Sequence, residues 1–122
     1  MDSPMNKLHY APEAKNDLAD IKEYISGELA SPIAAKNTVS RITKRIRNLE
    51  RFSDMGTPLS SIVGIDTDYR FLVCGHYLAF YRTEGNNVYI NRVLYGKRDY
   101  VAILFGDLPE NEPEQKIALD SD

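Results

Sequence analysis

Toward the carboxyl end of the chain, Arg92-Val93-Leu94-Tyr95-Gly96-Lys97-Arg98-Asp99-Tyr100 sets three cations and two tyrosines within nine residues. Arg92, Val93 and Leu94 read as a core strand. Gly96 to Tyr100 reads as a working surface, with two cations and a phenol close together. A second group of cations runs from Lys36 to Arg51, where Lys36, Arg41, Lys44, Arg45, Arg47 and Arg51 are set against one acid, Glu50. Cations grouped in this way attract a polyanion or an acidic partner, although a solvated helix face has the same composition. Other chemistries lack their residues. Cys74 is the single cysteine and His9 and His76 are the two histidines, so an intramolecular disulfide is impossible and no metal-ligand spacing occurs. Neither a metal nor a cofactor is expected, and Cys74 reads as a small packing residue.

Charge is unevenly distributed along the 122 residues, whose net is −3. Residues 107–122, DLPENEPEQKIALDSD, hold six acids against Lys116, a net of −5, which leaves residues 1–106 with 14 bases and 12 acids. With Pro109 and Pro113 among its acids and few large apolar groups, this tail cannot bury enough surface to offset the entropy of ordering, and it is expected to be disordered. It could also lie on the basic ridge as an internal mimic of a polyanion. Residues 1–106 are expected to form a single domain. No run approaches the roughly 18 apolar residues of a membrane span, and MDSPMNKLHY lacks the apolar core of a secretory signal. A cytoplasmic protein with no membrane partner is expected.

The elements that must position these residues follow from periodicity. Asn6 to Tyr10 precedes Pro12, which suits a first helical turn because its missing N–H would be unpaired there. Ala14, Leu18, Ile21, Ile25 and Leu29 then recur on one helical face. Ser31-Pro32 supplies a cap and a first-turn proline for a second helix, with Ala35, Val39, Ile42, Ile46 and Leu49 as its stripe. So short a junction makes the two an antiparallel hairpin. Asp54 to Asp68 is polar and interrupted by glycine, and is read as a loop. Three strands follow, Tyr69 to Val73, His76 to Arg82 and Val88 to Tyr95, joined at Cys74-Gly75 and at Glu84-Gly85-Asn86-Asn87. The expected fold class is α+β: an N-terminal strand, the two-helix hairpin, then a three-stranded antiparallel meander with the helices packed on one sheet face.

In this order of elements, and in Tyr69-Arg70, Gly75-x-Tyr77-x-x-x-Tyr81 and Arg92-Val93-x-x-Gly96-x-Arg98-Asp99, the chain resembles the RelE/ParE family of bacterial type II toxins from about Asn6 to Phe105. The resemblance implies a growth-arresting toxin held in check by a cognate antitoxin, acidic and partly disordered, that folds on the toxin as it binds. A basic helix and a sheet edge would suit such a peptide.

Two target classes exist in the family. RelE-like members cleave mRNA on the ribosome, which needs a group to take the 2′ proton, cations on the phosphorane and a donor for the departing oxygen. Arg98 matches a functional arginine of that motif, and Arg70 or Arg92 could be a second phosphate clamp. Tyr100 or His76 could move a proton, though neither falls at a matching position. Leu78 follows Tyr77 where RelE-like chains carry an arginine, and Phe71, Leu72 and Val73 stand where they carry lysines. ParE-like members bind DNA gyrase and perform no chemistry, and the pattern from Arg92 to Asp99 is closer to theirs. Gyrase inhibition is therefore favoured over mRNA cleavage. A third alternative is an inactive relic that reaches operator DNA only through the antitoxin, as co-repressor.

The candidate site residues are Arg70, Arg92, Lys97, Arg98 and Tyr100 for the target, and Arg41, Lys44, Arg45, Arg47, Arg51 and His76 for nucleic acid or antitoxin. Each has a structural alternative. Arg92 could pair with a helix acid such as Asp17, Asp20 or Glu23, and Arg98 with Asp99. Tyr69, Tyr77 and Tyr81 could be half-buried strand aromatics, and His76 a hairpin residue.

Overall fold

The computed structural model describes residues 5–106, so the expectation of a disordered acidic tail falls outside the described residues. The elements run β1 (Lys7–Tyr10), α1 (Pro12–Gly27), α2 (Pro32–Arg47), a 3-10 turn (Asn48–Glu50), β2 (Thr57–Pro58), α3 (Ser60–Val63), β3 (Arg70–Cys74), β4 (Tyr77–Glu84), β5 (Asn87–Tyr95) and α4 (Tyr100–Phe105). The fold is α+β. Its mixed five-stranded sheet has the order β1-β5-β4-β3-β2, with β1 parallel to β5 and the other pairs antiparallel.

Proline opens both long helices in the first turn, where it forfeits no hydrogen bond. At the head of α2 the Ser31 hydroxyl accepts a bond from the Ala34 N–H. The junction between the helices is so tight that Ala30 takes a φ of 50°, a left-handed conformation rare for a residue with a Cβ. Leu29, placed by its spacing on the buried stripe of α1, lies beyond the end of that helix and is 58% exposed. Gly75 and Gly85, at φ of 64° and 60°, sit first in the two-residue hairpin loops, where a II′ turn demands positive φ.

Both sheet faces are covered, which corrects the expectation of helices on one face only. Against α1 and α2 lies the larger core, with Ala14, Ile21, Ile25, Ala35, Ile42 and Ile46 meeting Leu72, Ala79, Tyr81, Val88, Ile90 and Val93. On the opposite side Leu59, Tyr69, Phe80 and Leu94 are buried beneath Val63, Tyr100, Ile103, Leu104 and Phe105. Strand alternation explains the division, since Ala79 and Tyr81 face one cluster and Leu78 and Phe80 the other. The second layer comes from α4 and from the segment read as a loop, which contains β2 and α3. Both are too short for a periodic signal.

A bulge in β5 between its pairs with Phe80 and Tyr81 leaves Asn91 as the extra residue. β1 stops its pairing at Ile90, so β5 is an open edge from there onward. No helix of the described residues is long and apolar enough to cross a membrane.

Candidate functional site

The largest groove among those described, about 840 Å³, opens where the helical hairpin leaves the sheet. Its floor is Ile21, Ile25, Ile42 and Val93. Tyr24 and Leu29 form one wall, Tyr77 and Tyr95 the other, and Arg41, His76 and Arg98 stand at its rim. Three expected residues from distant parts of the sequence are thus brought together. Tyr77 and Tyr95 meet edge to face, with ring centroids 5.8 Å apart.

Local structure aims Arg98. The Gly96 N–H donates to the His76 carbonyl at 2.9 Å, and a Cβ at Gly96 would stand 3.3 Å from that oxygen, so a glycine lets the chain pass close to the hairpin turn. The Arg98 N–H then donates to the Tyr95 carbonyl, which turns the chain. Asp99 does not pair with Arg98; its carboxylate accepts from the Ala102 N–H and caps α4. Lys97 and Arg98 are both exposed, and among the described residues neither side chain has a hydrogen-bond partner.

The remaining target candidates are engaged elsewhere. Arg70 donates from Nη1 to the carbonyls of Gly56 at 2.7 Å and Asp54 at 3.2 Å, fixing the loop that leads into β2. Its cross-strand partner Tyr81 completes that clasp, since the phenol donates to the Ser53 carbonyl and accepts from the Gly56 N–H. Arg92 is held by Asp17 through two bonds of 2.8 Å. Tyr100 lies on the other sheet face against Phe80, with centroids 5.2 Å apart.

The ridge on α2 is likewise divided. Arg41 reaches the groove, and Arg45 donates from Nε to the Val73 carbonyl at the β3 edge. Arg47 lines a separate hollow with Leu8, Tyr10 and Lys15. Lys44 and Arg51 are exposed. At 100° per residue, positions 41 and 45 lie near one another and position 47 points well away.

Two protonatable groups of the groove, Cys74 and Tyr77, are held in their neutral forms. Burial pushes the Cys74 thiol up to about 11 against the lowering influence of Arg45, so it remains a thiol at neutral pH. Burial, with Tyr95 and Tyr24 adding to it, raises the Tyr77 phenol as well. What the arrangement offers is an apolar trough with aromatic walls, Arg41, His76 and Arg98 at its rim and the carboxylates of Asp17 and Asp20 in its lining, a combination that could hold a partner.

Tyr24, Leu29 and Tyr95 belong to this trough and were not singled out as site residues. The signals the sequence carried are Tyr95 within the stretch Arg92 to Tyr100 and Tyr24 flanking the apolar stripe of α1.

A chain of the chromosomal ParDE toxin–antitoxin system from P. aeruginosa shares this fold, with a TM-score of 0.64 and 24% identity over 76% of the present chain and 98% of that one. At that identity the likeness shows the fold alone. No curated protein matches the chain. Residues 8–100, however, match the family described as ParE toxin of type II toxin-antitoxin system, parDE, and these residues include every element from the second residue of β1 to the start of α4. The chain is therefore a member of the ParE toxin family of type II toxin–antitoxin systems.

Proposed function

We propose that this toxin arrests growth by binding DNA gyrase through the groove and its Lys97-Arg98 corner, without chemistry of its own, and that a cognate antitoxin covers the same surface. The observation that carries this reading is the engagement of Arg70 and Arg92. A site that cleaves RNA must place cations where charge builds on the phosphorane, and each missing donor costs roughly 3 kcal/mol. Arg70 is occupied by two backbone carbonyls and Arg92 by Asp17, while Leu78 and Phe71 pack in the second core cluster. Arg98 and Lys97 are left, which suffices to hold an acidic surface.

Purified protein added to gyrase is expected to abolish supercoiling or accumulate cleaved DNA, and added to programmed ribosomes to leave the message intact. Arg98→Ala should weaken the gyrase effect by the roughly 1 to 3 kcal/mol of an interface contact. Cutting of mRNA in the decoding site, slowed by orders of magnitude in Arg98→Ala, would establish RNA cleavage instead.

A further inference from the structure

We propose that the outer edge of β1, with the basic side of the helical hairpin beside it, is a docking site for an extended acidic segment of another protein, which adds to the sheet as a further strand. The first observation is the edge itself. β1 stands at the end of the sheet and pairs only with β5. The Lys7 and Ala11 N–H groups donate to the Asn86 and Ile90 carbonyls on that side. In a strand paired in parallel, the backbone groups of alternate residues point to opposite sides, so those of Leu8 and Tyr10 point away from the sheet. The Asn6 N–H, which points the same way, already takes the Glu50 carbonyl at 2.9 Å. Among the described residues no backbone hydrogen bond from beyond the sheet does the same for Leu8 or Tyr10. Unpaired edge groups of this kind are a template for another strand.

The second observation is what stands beside the edge. Leu8, Tyr10, Leu18 and Thr43 line a hollow of about 420 Å³ together with Lys15 and Arg47. The Leu8 and Tyr10 side chains pack toward the helices, so every second side chain of an added strand would come down over this hollow. Lys15 and Arg47 are exposed, and among the described residues neither is in an ion pair. At 100° per residue Lys22 follows Lys15 along one face of α1, and Lys36 lies on the line of Arg47 along α2. α2 contains no acid, and no acid of α1 falls within about 60° of the Lys15 line. Glu50, in the turn after α2, is the opposing charge.

These two observations select the occupant. A second copy pairing edge to edge would bring Lys15 and Arg47 against their own counterparts. Nucleic acid would satisfy the cations but has no strand backbone to match the N–H and C=O groups of Leu8 and Tyr10. An acidic polypeptide in extended form satisfies both. On α1, Asp17 and Asp20 face the groove and Lys15 and Leu18 face this hollow, so the two surfaces lie on opposite sides of the hairpin and the proposal does not rest on gyrase binding.

The test titrates the full chain with a capped peptide of alternating valine and glutamate and follows the amide NMR signals. Shifts at Leu8, Tyr10 and Leu18 are expected, with none at Tyr24 or Tyr95, and hydrogen exchange at the Leu8 and Tyr10 amides should slow. Lys15→Glu combined with Arg47→Glu should weaken binding about tenfold, through the loss of two exposed ion pairs and the repulsion that replaces them. The same peptide N-methylated throughout keeps every charge but cannot pair with the edge, and it should not bind. Equal binding of the two peptides, absence of shifts, or shifts centred on the groove would overturn the proposal. The same shifts from an oligonucleotide of equal charge would also overturn it. So would slow exchange at Leu8 and Tyr10 in the free chain, which would show the edge covered by its own chain, or by a second copy where dilution restores fast exchange.

Discussion

Asp17 of α1 grips Arg92 of β5 with both carboxylate oxygens, at 2.8 Å each, and one of those oxygens also accepts the Val93 N–H. That amide lies on the open edge of β5 beyond the reach of β1, so the helix carboxylate completes what another strand would have supplied. Side-chain exposures of 26% for Arg92 and 10% for Asp17 make this a largely buried pair.

Breaking the pair from one side leaves the other charge and an amide without partners. Asp17→Ala is expected to cost about 2 to 4 kcal/mol in urea unfolding, towards the lower part of the range for buried pairs because Arg92 keeps some solvent. Asp17→Leu combined with Arg92→Met should recover part of that loss. Any loss of toxicity in Arg92→Ala should accordingly follow its loss of stability.

Gly56 packs beneath Tyr81 so closely that an added Cβ would stand 2.6 Å from the phenol oxygen and 2.8 Å from the Phe71 carbonyl. Gly56→Ala must therefore push the loop away and break the clasp that Tyr81 and Arg70 form. A loss of about 2 kcal/mol or more is expected. Tyr81→Phe, which removes both hydrogen bonds and little volume, should cost about 1 to 3 kcal/mol by thermal or urea unfolding.

At Ala30 the backbone conformation, with φ of 50°, favours glycine. Ala30→Gly is expected to stabilise the fold by about 1 kcal/mol, because relief of strain outweighs the added freedom of the unfolded chain. A stability equal to or below that of the parent would show that the hairpin junction carries no such strain.

Burial raises the Cys74 thiol from 9.0 to about 11. At pH 8 its thiolate fraction is then about a hundredfold below that of an exposed cysteine, so alkylation should be slower by that order and recover in denaturant. The linked stability has a definite sign. A raised folded pKa means the native state holds the proton more tightly, so its contribution is complete below pH 9 and is lost as pH rises from there through about 11. Cys74→Ala should flatten that part of the stability profile.

The sequence by itself determined the helical hairpin and the meander, because stripes such as Ile21-Ile25 and Ile42-Ile46, the prolines at positions 12 and 32 and the glycines at 75 and 85 each act through local backbone physics. It also carried the family, through short motifs around Tyr69, Tyr77 and Arg92. It could not separate cations left unengaged from cations that build the fold. Arg70, Arg92 and Arg98 look alike as residues, yet one holds a loop, one is claimed by Asp17 from 75 positions away, and one is left at a groove rim. The same holds for Tyr100, the first residue of α4, whose place depends on Phe80 across the sheet face. Those assignments depend on which partners the folded chain brings within hydrogen-bond distance. Contacts between distant positions leave no periodic trace in one sequence, so tertiary structure alone decided them.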